Sequence, residues 1–228
     1  MAYPQVLYED NHLIAINKRV SDIVQGDWTG DTSLDNIVKA YLKEKYNKHG
    51  NVFLGVIHRL DRPVSGVVLF ARTGKALSRM NEQFKLHETE KIYWAVVKNQ
   101  PPEDEGYLVH YMIRNREKNK SFVYSRERAG SKRAELIYRV VGRSEKYWFL
   151  EIRLLTGRHH QIRAQLAAIG SPIRGDLKYG YPRSDPGGGI HLHARELHFN
   201  HPVGGQKINI IADPPKDKLW STFLSVCS

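Results

Sequence analysis

A single cysteine, Cys227, occurs in 228 residues. An intrachain disulfide and a thiolate cluster for a structural metal are therefore excluded, and the cytoplasm, a reducing compartment, is the expected location. Apolar runs are short, and none approaches the roughly 20 residues that a bilayer span requires. The segment from Met1 to Asp10 lacks the basic-then-apolar order of a signal peptide. No fixed-period repeat and no low-complexity linker interrupts the chain, so one domain over residues 1–228 is expected. Acidic residues are in deficit: Lys+Arg 35 against Asp+Glu 24 gives a formal charge of +11. That balance attracts phosphate polymers, so the expected partner is nucleic acid. No membrane and no obligatory protein partner are expected, and the oligomeric state is left open with a monomer as the default. With 41% hydrophobic residues, the chain can bury one sizeable core or two small ones sharing an interface.

Metal-ligand spacing is also lacking. His159, His160, His191, His193, His198 and His201 never set two ligands on one helix face with an acid or thiolate as third partner, so no metal is expected. Gly187-Gly188-Gly189 is not followed by the Lys-Ser/Thr of a phosphate-cradling loop, and reads as a flexible segment of the Pro182 to Gly189 loop. A metal-dependent nuclease would need a carboxylate cluster that these motifs do not supply.

What is present reads as α+β. Val6 to Asn17 forms two short strands around Asp10-Asn11, and Leu34, Ile37, Val38, Tyr41 and Leu42 fall at helical spacing, with Thr32 and Asp35 as the expected capping pair. Val67 to Phe70 is a buried strand, and Thr73 caps a helix whose Leu77, Met80 and Phe84 share one face. Strands follow at Tyr93 to Val97, Lys120 to Tyr124, Ala134 to Val141 and Trp148 to Leu155. A short helix runs from His160 to Ala168 and ends at Gly170, a left-handed cap. Leu197 to Phe199 and Lys207 to Ile211 close the sheet before a final helix near Lys216 to Leu224.

The most informative stretch is His58-Arg59-Leu60-Asp61-Arg62-Pro63-Val64-Ser65-Gly66, one carboxylate between two arginines just ahead of a strand. In a cleft, desolvation would raise the carboxyl pKa and the arginines would hold it anionic. On a surface, the same residues would make only weak ion pairs.

This stretch resembles the H-R-L-D-x-x-T-S-G signature of the RluA/RluD-type pseudouridine synthases, with Val64 where the family usually has Thr. Lys91-Ile92-Tyr93-Trp94-Ala95-Val96-Val97 is similar to the family's K-x-Y-x-A-x-V segment. Leu155 to Leu166, with Thr156-Gly157-Arg158 and His160-Gln161-Ile162-Arg163, resembles T-G-R-x-H-Q-I-R-x-Q-L and continues through Gly175-Asp176 and Tyr179-Gly180. The resemblance covers most of the chain from about Asp10 onward, and because the pattern begins almost at once, no separate N-terminal RNA-binding module of the kind many relatives append is expected.

The resemblance implies a mixed, mainly antiparallel sheet in two abutting halves, with flanking helices and a central catalytic cleft. It implies a cofactor-free isomerase that converts uridines of structured RNA, ribosomal or transfer RNA, to pseudouridine. Asp61 is then the catalytic carboxylate, Arg163 its ion-pair partner and Tyr93 the ring lying on the uracil face; Ile162 and Leu166 line the pocket or simply pack the core. A single carboxylate suits a reaction that must hold the detached base and keep water out, whereas glycoside hydrolysis uses two. A stacked uridine must be extruded first, and Arg59 matches an arginine that fills the gap. RNA contacts are expected of Arg59, Arg62, Lys91, Arg158 and His160. They are also expected of the basic stretch with Arg114, Arg116, Lys118 and Lys120, which continues through Arg126, Arg128, Lys132 and Arg133 and is interleaved with Phe122 and Tyr124.

Overall fold

The computed structural model describes residues 3–26 and 30–227. Its elements in chain order are β1 (Val6–Glu9), β2 (Leu13–Lys18), α1 (Leu34–Lys45), β3 (Gly55–Val56), β4 (Ser65–Ala71), α2 (Gly74–Lys85), β5 (Glu90–Val97) and β6 (Glu105–Asn115). These are followed by β7 (Lys120–Tyr124), β8 (Lys132–Arg143), β9 (Trp148–Leu154), α3 (Gln161–Ala168), a 3-10 turn at Leu177–Tyr179, β10 (Leu192–Asn200), β11 (Lys207–Ile211) and α4 (Lys218–Cys227). The class is α+β, as the pattern predicts. The chain forms two compact units, Met1–Thr89 with Ala194–Pro214, and Glu90–His193 with Pro215–Ser228. Among the described residues, no helix is long and apolar enough to cross a membrane.

In the first unit the strand order is β1-β2-β4-β10, with β3 beside β4 and β11 beside β10. The pairs β1–β2, β2–β4, β3–β4 and β10–β11 are antiparallel. Every residue of β2 and β4 is buried, which explains why residues 13–16 and 67–71 read as continuous apolar runs rather than alternating ones. Leu13, Ala15, Val67 and Leu69 pack with Ala76 and Met80 of α2, and Ile14, Ile16, Val68 and Phe70 pack with Leu34, Val38 and Leu42 of α1. Period-2 alternation thus feeds two cores from one pair of strands.

The helix starts differ from each other. Thr73 caps α2 as expected, accepting a hydrogen bond from the Ala76 amide at 3.2 Å. At α1 the capping expectation for Thr32 is corrected: the N-cap is Ser33, whose hydroxyl donates to the Asp35 carboxylate instead of capping the helix. The reason is that the Leu34 and Asp35 amides already donate to the carbonyls of Ile23 and Val24, at 2.7 and 3.1 Å. Backbone from a neighbouring segment thereby does the capping that a side chain would otherwise do.

In the second unit the order is β5-β9-β8-β6-β7, and each of these pairings is antiparallel. Strand β6 was not evident in the sequence because its side chains are mostly half-buried or exposed, which leaves no apolar face to count. Helix α4 covers Trp94, Val96 and Phe149 through Trp220 and Phe223. Gly170, at φ +84°, follows α3 in the expected left-handed conformation.

Candidate active site

Asp61 lies in the first unit, in the loop between β3 and β4. Its carbonyl accepts the Val64 amide at 3.0 Å and closes a tight turn. Around it the loop is anchored residue by residue. The His58 ring stacks on Phe84 of α2 with centroids 5.1 Å apart, and its Nε2 accepts the Leu69 amide at 3.0 Å. An amide can only donate, so this Nε2 carries the lone pair. Leu60 packs into the core beneath α1. Arg59 is exposed and borders an open cavity of about 390 Å³ with Gln25, Asp35, Lys39 and His58. Arg62 is also exposed, and its guanidinium pairs with Asp31 at 2.6 Å.

The floor of this loop is Lys18, which has no solvent exposure. Its ammonium donates to the carbonyls of Val64 at 2.7 Å, Arg19 at 3.0 Å and Arg62 at 3.1 Å. Burial pulls its pKa down to about 8, against the opposing pull of the Asp22 and Asp61 carboxylates. Sequence reasoning missed Lys18, although a lysine closing the apolar strand Leu13–Lys18 was the available signal. Val64, in the place of the family threonine, is buried at 2% exposure, where a methyl packs and a hydroxyl would need a partner. Gly66 is required by geometry: its φ is +118°, and a Cβ there would stand 2.2 Å from the Ala194 carbonyl oxygen.

Tyr93, Lys91 and Arg163 belong to the second unit. Tyr93 is half-buried on β5 opposite Ile152 of β9. Strand alternation puts it on the face opposite Trp94, whose ring stacks on Phe223 at 4.5 Å, and on the same face as Lys91. Lys91 is 9% exposed, and burial lowers its pKa. His160 is buried as well; it takes a left-handed conformation at φ 55°, with Nδ1 3.0 Å from the Tyr179 hydroxyl. Both side chains are thus buried within the second unit. Arg158 is half-buried and donates through Nε to the Arg133 carbonyl at 2.9 Å.

Helix α3 presents Ile162, Arg163 and Leu166, all buried, to the interior of this unit. Gln161 accepts from the Arg158 amide and the Thr156 hydroxyl, and donates to the Glu135 carbonyl. Gln165 donates toward the Ala134 carbonyl at 3.3 Å. The helix is thus pinned to the sheet by its polar side chains. Arg163 makes a bidentate pair with Asp176, Nε to Oδ2 at 2.7 Å and Nη2 to Oδ1 at 2.9 Å. Its guanidinium also sits 5.2 Å from the Tyr179 ring centre. Asp176 and Tyr179 had no site role in the sequence reading.

The basic stretch begins as a hairpin of β6 and β7 and ends on β8, where Lys132 and Arg133 stand opposite Met112 and Tyr111 of β6. Arg114, Arg116 and Lys118 are exposed, whereas Lys120 is half-buried with its ammonium 5.0 Å from the Tyr179 ring centre.

The family model for RNA pseudouridylate synthases matches residues 12–168. A tRNA pseudouridine synthase C from Yersinia pestis is 31% identical over 96% of this chain and 90% of its own length. The enzyme of the same name from Pectobacterium carotovorum is 30% identical over 91% of this chain, which spans only 58% of that protein. Among solved structures, human RNA Pseudouridylate Synthase Domain Containing 4 superposes with a TM-score of 0.79 at 22% identity, covering 97% of this chain and 92% of its own. That likeness shows the shared fold.

Proposed function

Because the chain belongs to the RNA pseudouridylate synthase family and is an RNA pseudouridine synthase, we propose that it acts on uridine in transfer RNA with Asp61 as the catalytic carboxylate. The observation that carries this reading is the clamped turn. Lys18 holds the carbonyls on the C-terminal side of Asp61 from below, so the carboxylate is carried on fixed backbone, as catalysis by positioning demands. Transfer RNA is favoured by the name of the Yersinia relative, which this chain matches nearly end to end.

The reaction exchanges one bond for another. The N-glycosidic bond of uridine breaks, the uracil turns, and a carbon of the ring rejoins the sugar; the proton displaced from that carbon is balanced by one gained at nitrogen, with no net loss. Asp61 assists at the sugar or at the ring. Arg163 supplies the positive charge that opposes the desolvation of a reacting carboxylate. Tyr93 stacks on the freed base, a contact that contributes about 1–3 kcal/mol. Arg59, exposed on the Asp61 loop, fills the gap left by the extruded nucleotide, and the Arg114 to Lys120 hairpin contacts phosphates. No cofactor enters the scheme.

The test is tritium release from transfer RNA labelled at uridine C5, with binding followed in parallel. Asp61→Asn is expected to abolish release while RNA still binds. Release at the wild-type rate would remove Asp61 from the mechanism. Mapping pseudouridine in total RNA with and without the gene tests the substrate class: loss confined to ribosomal RNA would overturn the transfer RNA assignment.

A further inference from the structure

We propose that Asp176 is a positioning residue for the isomerisation, acting through Arg163; the inference rests on the role given to Arg163 above. The pair is side-on and bidentate, at 2.7 and 2.9 Å, and nearly dry, with side-chain exposures of 5% and 1%. A fork of this kind fixes the plane of a guanidinium as well as its place, which a single bond cannot do.

The surroundings make the constraint stiffer. Asp176 begins the 3-10 turn Leu177–Tyr179, and its amide donates to the Ile173 carbonyl at 3.0 Å while its own carbonyl accepts from Tyr179 and Tyr181. The carboxylate is therefore carried on a backbone that cannot swing. Tyr179 closes one side of the guanidinium, and its hydroxyl is anchored by the Ser121 amide at 2.9 Å. Nε and Nη2 both donate to Asp176, which sets the plane in which every other N–H group of the guanidinium lies. Asp176 also offsets the arginine's charge. A buried cation without this counter-ion would hold a reacting carboxylate too tightly, or would draw in water.

This predicts a loss in kcat rather than in RNA affinity. Asp176→Asn keeps the shape but removes the charge, and Asp176→Glu keeps the charge but lengthens the arm and breaks the side-on geometry. Each is expected to lower kcat by roughly 10-fold or more with KM for transfer RNA within about 2-fold, as for an interaction made in the transition state. The decisive measurement is the cycle with Arg163→Lys. If Asp176 works through Arg163, then adding Asp176→Glu to Arg163→Lys costs little further activity. Fully multiplicative losses would show a merely structural residue and overturn the proposal, as would wild-type kcat in the folded Asp176→Glu enzyme. Should Asp176→Asn not fold, the charge-conserving Glu variant carries the test alone. If Arg163→Lys by itself has wild-type kcat, the role assigned to Arg163 fails, and that outcome is distinct from the failure of Asp176.

Discussion

The Lys18 ammonium donates to the Val64 carbonyl oxygen at 2.7 Å from a position with no solvent exposure. One buried cation thus organises the turn that carries Asp61. An ammonium has three protons, and here three carbonyls receive them.

Lys18→Met leaves those three carbonyls without their donor. The expected cost is about 2 kcal/mol or more, read as a lower denaturation midpoint, together with a fall in kcat because the Asp61 turn loses its floor. A variant with unchanged stability would show that the carbonyls find water instead.

The pH dependence follows from the same residue. Its folded pKa lies near 8, below the ordinary lysine value of 10.5, so the unfolded chain binds more protons between those values. Stability should therefore rise with pH across that window, by up to roughly 3 kcal/mol for this group. Below about 8 both states are protonated and the contribution is flat. The comparison is wild type against Lys18→Met in urea titrations from pH 7 to 10.5, and equal slopes would refute it.

Gly66→Ala is expected to be severe. The residue sits at φ +118°, and its new methyl would meet Ala194 backbone at 2.2 Å, which no side-chain rotation can relieve. A loss of about 4 kcal/mol or more, or insoluble protein, is the expected outcome. A well-folded, active variant would contradict it.

His58 accepts the Leu69 amide through Nε2. His58→Gln can return an acceptor near that place, whereas His58→Leu cannot, so the Leu variant should lose about 1–3 kcal/mol and the Gln variant less. Equal melting temperatures for the two would dismiss the hydrogen bond as a contributor.

RNA binding should weaken steeply with salt. Arg116→Ala and Lys118→Ala, both on the exposed hairpin, are each expected to reduce the slope of log K against log salt by about 1 without affecting single-turnover rates at saturating RNA. Unchanged slopes would remove the hairpin from the interface.

Much was legible without coordinates. Motifs around Asp61, Tyr93 and Arg163 lie in the primary sequence, where the family signature is read from neighbouring residues alone. Strands such as β7 and β11 were legible within their true bounds because flanking turn residues delimit them. The class α+β and the basic balance needed no more than composition and period.

The rest was decided by the tertiary structure. That Asp176 claims the fork of Arg163, that Lys18 props the Asp61 turn, and that His160 and Lys91 turn inward all depend on which distant segments meet. The start of α1 depends on two carbonyls at Ile23 and Val24 that no local pattern announces. Local propensity is written in neighbouring residues, but the partner of a buried charge is chosen by burial: a charge removed from water must find its counter-ion or carbonyl wherever the fold brings one.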